Sequence, residues 1–382
     1  MNELEECLIV GAGLSGAVIA EKLSKKYKVL VIDKRDHIGG NCYDYVNDVG
    51  IRVSKYGAHL FHTNNREIFE YIHKFGEWVR WDHRVLAKVD DVLVNLPVNI
   101  NTVNKLCGTN LINEEEMKTY ISTRVENYDE IKNSEEMALS RVGRKIYEKL
   151  FQDYTIKQWN LKAKELDKSV LARIPVRYNF DDRYFTDRYQ VLPKHGYTKF
   201  IENILRSENI EVRLNTDYRD LPEIAEKKYK YIIYTGPIDS YHLGLEKLEY
   251  RSLRFEEETV KTQGYAQENS VINYPSKEVE FTRIIEYKHF LNQKSEYTTI
   301  VKEYPISEGE PYYPVPNPRN LELYEKYRNL EVPKNVHFLG RLGNYKYFNM
   351  DEAILNSLNY YRNYLEPLDS LDSSEPPESL NF

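Results

Sequence analysis

Cys7-Leu-Ile-Val10 runs directly into Gly11-Ala-Gly13-Leu-Ser-Gly16, and Lys28-Val-Leu-Val-Ile-Asp33 brings an acid 22 residues beyond the first glycine. The first stretch is a short apolar strand. Leu14–Lys26 carries apolar residues at helical spacing, and residues 28–32 form a nearly all-apolar strand, as parallel strands buried on both faces do. The unit is therefore βαβ, with its glycines at the strand-to-helix turn. Each glycine has a separate task. Gly11 makes the turn, Gly13 lets main-chain N–H groups approach a pyrophosphate, and Gly16 lets the helix lie close to the strand. The helix N-terminus, with Leu14 and Ser15 in its first turn, then faces negative phosphates, and Asp33 is placed to accept bonds from ribose hydroxyls.

Pieces of the same architecture recur far downstream. Tyr197–Arg206 reads as a helix, Glu211–Leu214 as a strand, and Tyr231-Ile-Ile-Tyr-Thr-Gly236 as a strand ending in a glycine turn. Val336-His-Phe-Leu-Gly-Arg-Leu-Gly343 reads as another strand and turn, with a helix from Asp351 to about Tyr364. The expected fold is mixed α/β: a Rossmann-like domain assembled from the discontinuous segments 1–64, 196–245 and 325–366. Residues 65–170, with helical runs at Asn113–Asn127 and Ser134–Leu150, predict a mainly helical insert ending in a mobile loop. Residues 171–195 and 246–324, rich in β-branched and aromatic runs, predict an antiparallel sheet domain. Residues 367–382, rich in Ser, Glu and Pro, predict a disordered tail.

Composition narrows the function. The 382 residues hold 53 Lys plus Arg against 60 Asp plus Glu, a net charge of −7, which disfavours nucleic-acid binding through bulk charge. Three cysteines without a CxxC pair form neither a disulfide framework nor a Cys-rich zinc site, and no metal site is expected. The acidic start MNELEECLIV is unlike a signal peptide, and no apolar run is long enough for a membrane span. A cytoplasmic protein without membrane partners is expected. The 33 tyrosines are read mainly as a compositional bias, and a single one is argued only where its neighbourhood adds to it.

Asp33-Lys34-Arg35-Asp-His-Ile-Gly39-Gly40-Asn41 carries a second glycine pair and resembles the flavoproteins related to amine oxidases. In those, the paired glycines run beside the FAD pyrophosphate. The Thr235-Gly236 turn and Gly340-Arg341-Leu-Gly343 are similar to two further elements of those families. The resemblance implies FAD, with Arg341 neutralising phosphate and Asn349, Met350 and Asp351 at the last helix near the ribityl chain.

A second series is more specific: Gly57-Ala-His59-Leu-Phe-His62, Phe151-Gln-Asp-Tyr154-Thr155-Ile-Lys-Gln-Trp159, Leu171-Ala-Arg173-Ile-Pro-Val-Arg177, Tyr184, Arg283, Glu310-Pro-Tyr312, and Gly340-Arg341-Leu-Gly-Asn-Tyr-Lys-Tyr347-Phe-Asn349. In this order, from Leu8 to about Leu365, it resembles the bacterial UDP-galactopyranose mutases. A nucleotide sugar calls for cations at its phosphates, aromatic surface at its base and neutral donors elsewhere, and these residue types supply them. By resemblance Arg173 and Arg283 hold the diphosphate, with Arg173 on a loop that closes over substrate. Tyr154, Thr155, Trp159 and Phe151 surround uridine. Tyr184, Asn273, Tyr312 and Tyr347 bond the substrate, and His59 faces flavin and galactose. The bland reading of an arginine is a surface ion pair, of Trp159 or a tyrosine core packing, and of His62 a structural histidine.

The resemblance further implies interconversion of UDP-galactopyranose and UDP-galactofuranose through a covalent adduct of the sugar with N5 of reduced FAD, with NADPH or NADH as reductant. It also implies a homodimer and a role in supplying galactofuranose for cell-surface polysaccharide. No side-chain general-base triad is visible, in keeping with a cofactor that carries the chemistry. Three positions depart from the family: Asp33 where Glu is usual, Ala58 where Pro is common, and Asn349 where many members carry Asp. His59 leans towards plain galactose over an N-acetylated sugar. The rival readings are a mutase for UDP-N-acetylgalactopyranose, an amine-oxidase-like FAD oxidoreductase, and a non-catalytic nucleotide-sugar-binding protein.

Overall fold

A computed structural model describes residues 5–172, 175–221, 229–242 and 246–371. Strand β1 (Glu6–Val10), helix α1 (Leu14–Leu23) and strand β2 (Lys28–Ile32) form the opening unit. Strand β1 is central in a five-stranded parallel sheet, flanked by β2 and Ile232–Tyr234, with Ile210–Arg213 and Val336–Phe338 at the edges. The register aligns Val10 with Ile32 and Tyr234, and Tyr234 with Phe338, so the carboxyl ends open on one edge. Ligands of open parallel sheets bind there. Helix Met350–Tyr360 packs against α1, and Ile19, Ile354 and Leu358 are in the core beneath them.

A seven-stranded sheet forms the second layer, in the order Tyr313–Pro314, Tyr250–Lys261, Tyr297–Ile306, Arg283–Glu286, Val271–Asn273, Val85–Val89, Val92–Leu96. Three features differ from the expectation. Strand Tyr189–Pro193, expected in this sheet, pairs instead with Phe61–Thr63 and Trp78–Arg80 in a separate three-stranded sheet. The interval 65–170 is not only helical: it contributes the Val85–Val89/Val92–Leu96 hairpin to this sheet. The sheet is also not wholly antiparallel, because Ile272 pairs with Leu86 in a parallel ladder. The helices Glu114–Ser122 and Ser134–Tyr147 share a core with it, in which Met117 and Leu139 meet Val271, Ile285 and Val301.

The helix beginning at Ser134 kinks at Gly143, whose φ is +72°. A Cβ there would lie 2.5 Å from the Arg124 carbonyl oxygen, so the bend and the close approach both need glycine. Residues 367–371 are not part of a disordered tail. Residues Glu366–Leu371 are helical, and Asp369 accepts bonds from Tyr27 and Tyr231 hydroxyls at 2.5 and 2.8 Å. These partners lie 342 and 138 positions away in the chain, beyond any local pattern. Residues 372–382 lie outside the described residues.

Candidate active site

A cleft of about 1340 Å³ opens at the carboxyl edge of the parallel sheet and extends towards the seven-stranded one. Gly11, Gly13, Leu14, Ser15, Asp33, Lys34, Arg35, Gly39, Gly40 and Asn41 all line it, as do His59, Gly236, Arg341, Asn349 and Met350. Its floor is shaped for a pyrophosphate. Gly13 caps α1 without a side-chain bond, leaving the first-turn N–H groups open. Gly40, at φ +53°, faces Gly13 so closely that its Cβ would come within 2.9 Å of the Gly13 Cα. Asp33 is held by the main-chain N–H groups of Ala12 and Arg35 at 2.8 and 3.0 Å. An open helix terminus, a groove that any side chain would fill and an oriented acid at the end of β2 fit an extended dinucleotide such as FAD.

Gly16 lies outside the cleft, against the strand: its Cβ would meet the Gly11 carbonyl oxygen at 2.0 Å. Asp351 does not line the cleft either. The helix expected to open there begins one residue earlier, at Met350. Asn349 stands at its N-cap position, where the Glu352 carboxylate accepts from Asn349 N at 2.8 Å.

Arg283 does not itself line the cleft, and its charge reaches it through His59, which does. Arg283 stands between Asn273 and Glu303 in adjacent strands, in direct register with both. Its Nη2 meets Glu303 Oε1 at 2.8 Å, and Glu303 is 1% exposed. Burial opposes the charge on Arg283, but Glu303 outweighs it and the guanidinium stays protonated. Arg283 Nε, Glu303 Oε2 and Asn273 Oδ1 are buried without a protein partner, a cluster of donors and acceptors suited to a polar ligand.

The Arg283 charge acts on Tyr154, Tyr313 and His59. Tyr184 acts electrostatically on Tyr154, and its N–H donates to the His83 carbonyl at 2.6 Å. Burial raises the Tyr154 hydroxyl above its ordinary range and Tyr313 to about 12, so both are neutral donors. His59 Nδ1 lies 2.8 Å from the Gly57 carbonyl, which makes Nδ1–H the donor and leaves Nε2 as an acceptor. Burial, with Arg341 and Arg283 nearby, lowers its pKa to about 4. His83 falls to about 3 through burial and the same arginine.

Both histidines are therefore neutral in the folded chain down to well below the ordinary value near 6.5. Their contribution to stability is whole above pH 6.5 and is lost as pH falls towards 4 and 3, because the unfolded chain takes up protons first. The thermal midpoint is expected to drop between pH 6.5 and 4, and less in His83→Gln. An unchanged acid slope in that variant would exclude His83 from the effect.

Other sequence expectations fare unevenly. Trp159 lines the cleft. Phe151 and Thr155 are 8% and 2% exposed, and Phe151 belongs to the core between helices and sheet, because the Glu148–Gln152 turn directs it inward. Of the adjacent Tyr312 and Tyr313, it is Tyr313 that stacks on Tyr347, at 5.9 Å between ring centroids. Tyr312 is buried towards Tyr56 and Phe255, since neighbours in extended chain point to opposite faces. Arg341 lies over the Tyr347 ring at 5.0 Å and donates to the Phe348 carbonyl at 2.6 Å, securing the loop before the last helix. Arg173 lies outside the described residues.

Sequence reasoning passed over Thr216–Arg219, which line the far end of the cleft, and Arg251, which is buried, lines it and donates to the Gln158 carbonyl at 2.9 Å. The first group was findable, since it follows the strand at 210–213 and every strand of such a sheet points its carboxyl end at the ligand. Among the described residues no cluster of three His, Cys, Asp or Glu is placed for a metal ion, and no helix is long and apolar enough to cross a membrane.

A family model described as UDP-galactopyranose mutase matches residues 149–347, and one for an NAD(P)-binding Rossmann-like domain matches 9–75. A probable UDP-galactopyranose mutase of Klebsiella pneumoniae is 41% identical over 362 residues, 92% of each chain. A dTDP-fucopyranose mutase of Escherichia coli is 35% identical over 376 residues, 95% of this chain and 99% of that one. The crystal structure of a reduced UDP-galactopyranose mutase superposes with a TM-score of 0.76 over 95% of this chain and 96% of that one; at 16% identity this likeness speaks for the fold.

Proposed function

The chain belongs to the UDP-galactopyranose mutase family, and from that premise we propose that it interconverts UDP-galactopyranose and UDP-galactofuranose with a flavin as cofactor. The observation that carries this reading is the Asn273–Arg283–Glu303 row, whose arginine charge acts on two neutral tyrosines and on the neutral His59 that lines the dinucleotide cleft. Bound FAD, in reduced form, supplies a nucleophile for the anomeric carbon. The protein's share is positional and electrostatic. Arg283 steadies the diphosphate as it departs and returns, and Arg173 is proposed to assist it. Tyr154, Tyr184, Tyr313 and Tyr347 donate to phosphate oxygens without adding charge. His59 offers Nε2 to a sugar hydroxyl, and Trp159 offers a face to the uracil. The residues that touch substrate thus hold geometry and charge, and no acid–base pair is required of them.

The test is chromatography of UDP-galactofuranose incubated with the flavin-loaded protein, with and without dithionite. Conversion to the pyranose only under reduction is expected. Absence of conversion with the flavin fully reduced would sink the reading. The dTDP-fucopyranose mutase relative makes dTDP-fucofuranose the first competing substrate, and the N-acetylated UDP sugar the second. Trp159→Ala is expected to weaken UDP about tenfold, the size of one lost aromatic stack, and an unchanged dissociation constant would remove it from the base site. NADPH or NADH as reductant, a homodimer, a cytoplasmic setting and a supply of galactofuranose for surface polysaccharide complete the proposal.

A further inference from the structure

The helix Asp153–Trp159 carries Tyr154 and Trp159, and its Lys157 belongs to none of the contacts described so far. Lys157 Nζ donates to four main-chain carbonyls: Tyr274 at 2.5 Å, Ser276 at 2.8 Å, Val279 at 3.1 Å and Phe281 at 2.9 Å. All four belong to the segment joining strand Val271–Asn273 to strand Arg283–Glu286. The first of the four carbonyls lies one residue after Asn273 and the last two residues before Arg283. An ammonium has three N–H bonds, so four carbonyls around it form a full cage, and main-chain carbonyls gathered this closely repel one another unless a cation sits among them.

We propose that Lys157 is a positioning residue: its ammonium locks the helix bearing Tyr154 and Trp159 to the hairpin bearing Asn273 and Arg283, fixing the nucleotide-base half of the site relative to the diphosphate half. This rests on the reading of those two halves given above. The physical reason is mechanical. The helix and the hairpin come from segments more than a hundred residues apart, and a nucleotide diphosphate spans both. If their separation fluctuates, either half binds as before, but the two are not met at once, and the cost falls on affinity for the whole ligand. A neutral side chain of equal length leaves four carbonyls facing each other, and the hairpin connection relaxes away from the helix.

The experiment compares the wild-type holoenzyme with Lys157→Met and Lys157→Arg, measuring the UDP dissociation constant, KM and kcat, flavin content, thermal midpoint, and amide hydrogen exchange over residues 274–281. In Lys157→Met the UDP dissociation constant and KM are expected to rise about tenfold, with kcat at saturation within about threefold of wild type. Flavin content is expected to stay the same and exchange at 274–281 to quicken. Lys157→Arg, which keeps charge and several donors, is expected to recover affinity to within about threefold of wild type.

The proposal is overturned if Lys157→Met binds UDP like wild type, if affinity falls only in step with lost flavin and a collapsed thermal midpoint, or if the arginine variant does no better than the methionine one. Should the methionine variant fail to fold, Lys157→Gln, which keeps an N–H donor but no charge, takes its place in the same comparison. Failure of the nucleotide-sugar reading is distinguishable, because the wild-type protein would then not bind UDP at all.

Discussion

Arg283→Ala is expected to lower turnover about 10²- to 10³-fold with flavin still bound, the usual effect of removing one preorganised group that stabilises developing charge. The same substitution strands Glu303, which is 1% exposed and bonds Arg283 at 2.8 Å, as an unpaired buried carboxylate. Breaking a buried pair from one side costs about 3–5 kcal/mol, so the single variant confounds stability with chemistry. Arg283→Ala combined with Glu303→Gln separates them. The double variant is expected to regain most of the lost thermal midpoint while its turnover stays low. If turnover returns with stability, Arg283 serves only to neutralise Glu303, and the phosphate role is lost. Stopped-flow measurement of the reduced enzyme with UDP-galactofuranose gives the rate directly, and visible absorbance confirms the flavin.

Gly40→Val is expected to yield folded but nearly colourless protein. The Gly40 Cβ would lie 2.9 Å from the Gly13 Cα, and the larger branched side chain fills the groove between the two glycines that the pyrophosphate needs. Valine at φ +53° adds strain of its own, on the order of 1–3 kcal/mol. Flavin occupancy, read as the ratio of visible to ultraviolet absorbance, should fall below about a tenth of wild type, while far-ultraviolet circular dichroism is retained, since losing a ligand removes only its share of stability. A fully yellow Gly40→Val protein would mean that the cofactor lies elsewhere in the cleft.

These effects differ in how far the chain itself foretold them. The glycine cradle was legible because its members are close in sequence: Gly11, Gly13, Gly39 and Gly40 flank a single βαβ unit, and their conformational demands are local. The parallel strands were legible for a related reason, since a run such as residues 28–32 is apolar on both faces only where helices cover both. Strand and helix bounds then shifted by a few residues, as at Glu211–Leu214, which became Ile210–Arg213.

Side-chain direction was harder. Tyr312 and Tyr313 are chemically equal and adjacent, and only the pairing of Arg251 with Tyr313 decides which faces Tyr347 and Arg283. Phe151 sits within the motif that carries Tyr154, yet a turn of wider pitch before the helix directs it into the core. Asn349 read as a lost charge, and in the fold it stands at a helix N-cap position.

What the sequence by itself determined is the dinucleotide-binding unit, the mixed α/β class and the kinds of residue at the site, because local conformational cost and hydrophobic period are written in consecutive residues. The tertiary structure alone decided that Asn273, Arg283 and Glu303 stand abreast, that Lys157 closes a ring of distant carbonyls, and that Asp369 anchors the last helix to Tyr27 and Tyr231. Those pairings join segments separated by ten to several hundred residues. Their energy comes from desolvated charges and hydrogen bonds that exist only once strand register and helix packing have brought the partners within reach.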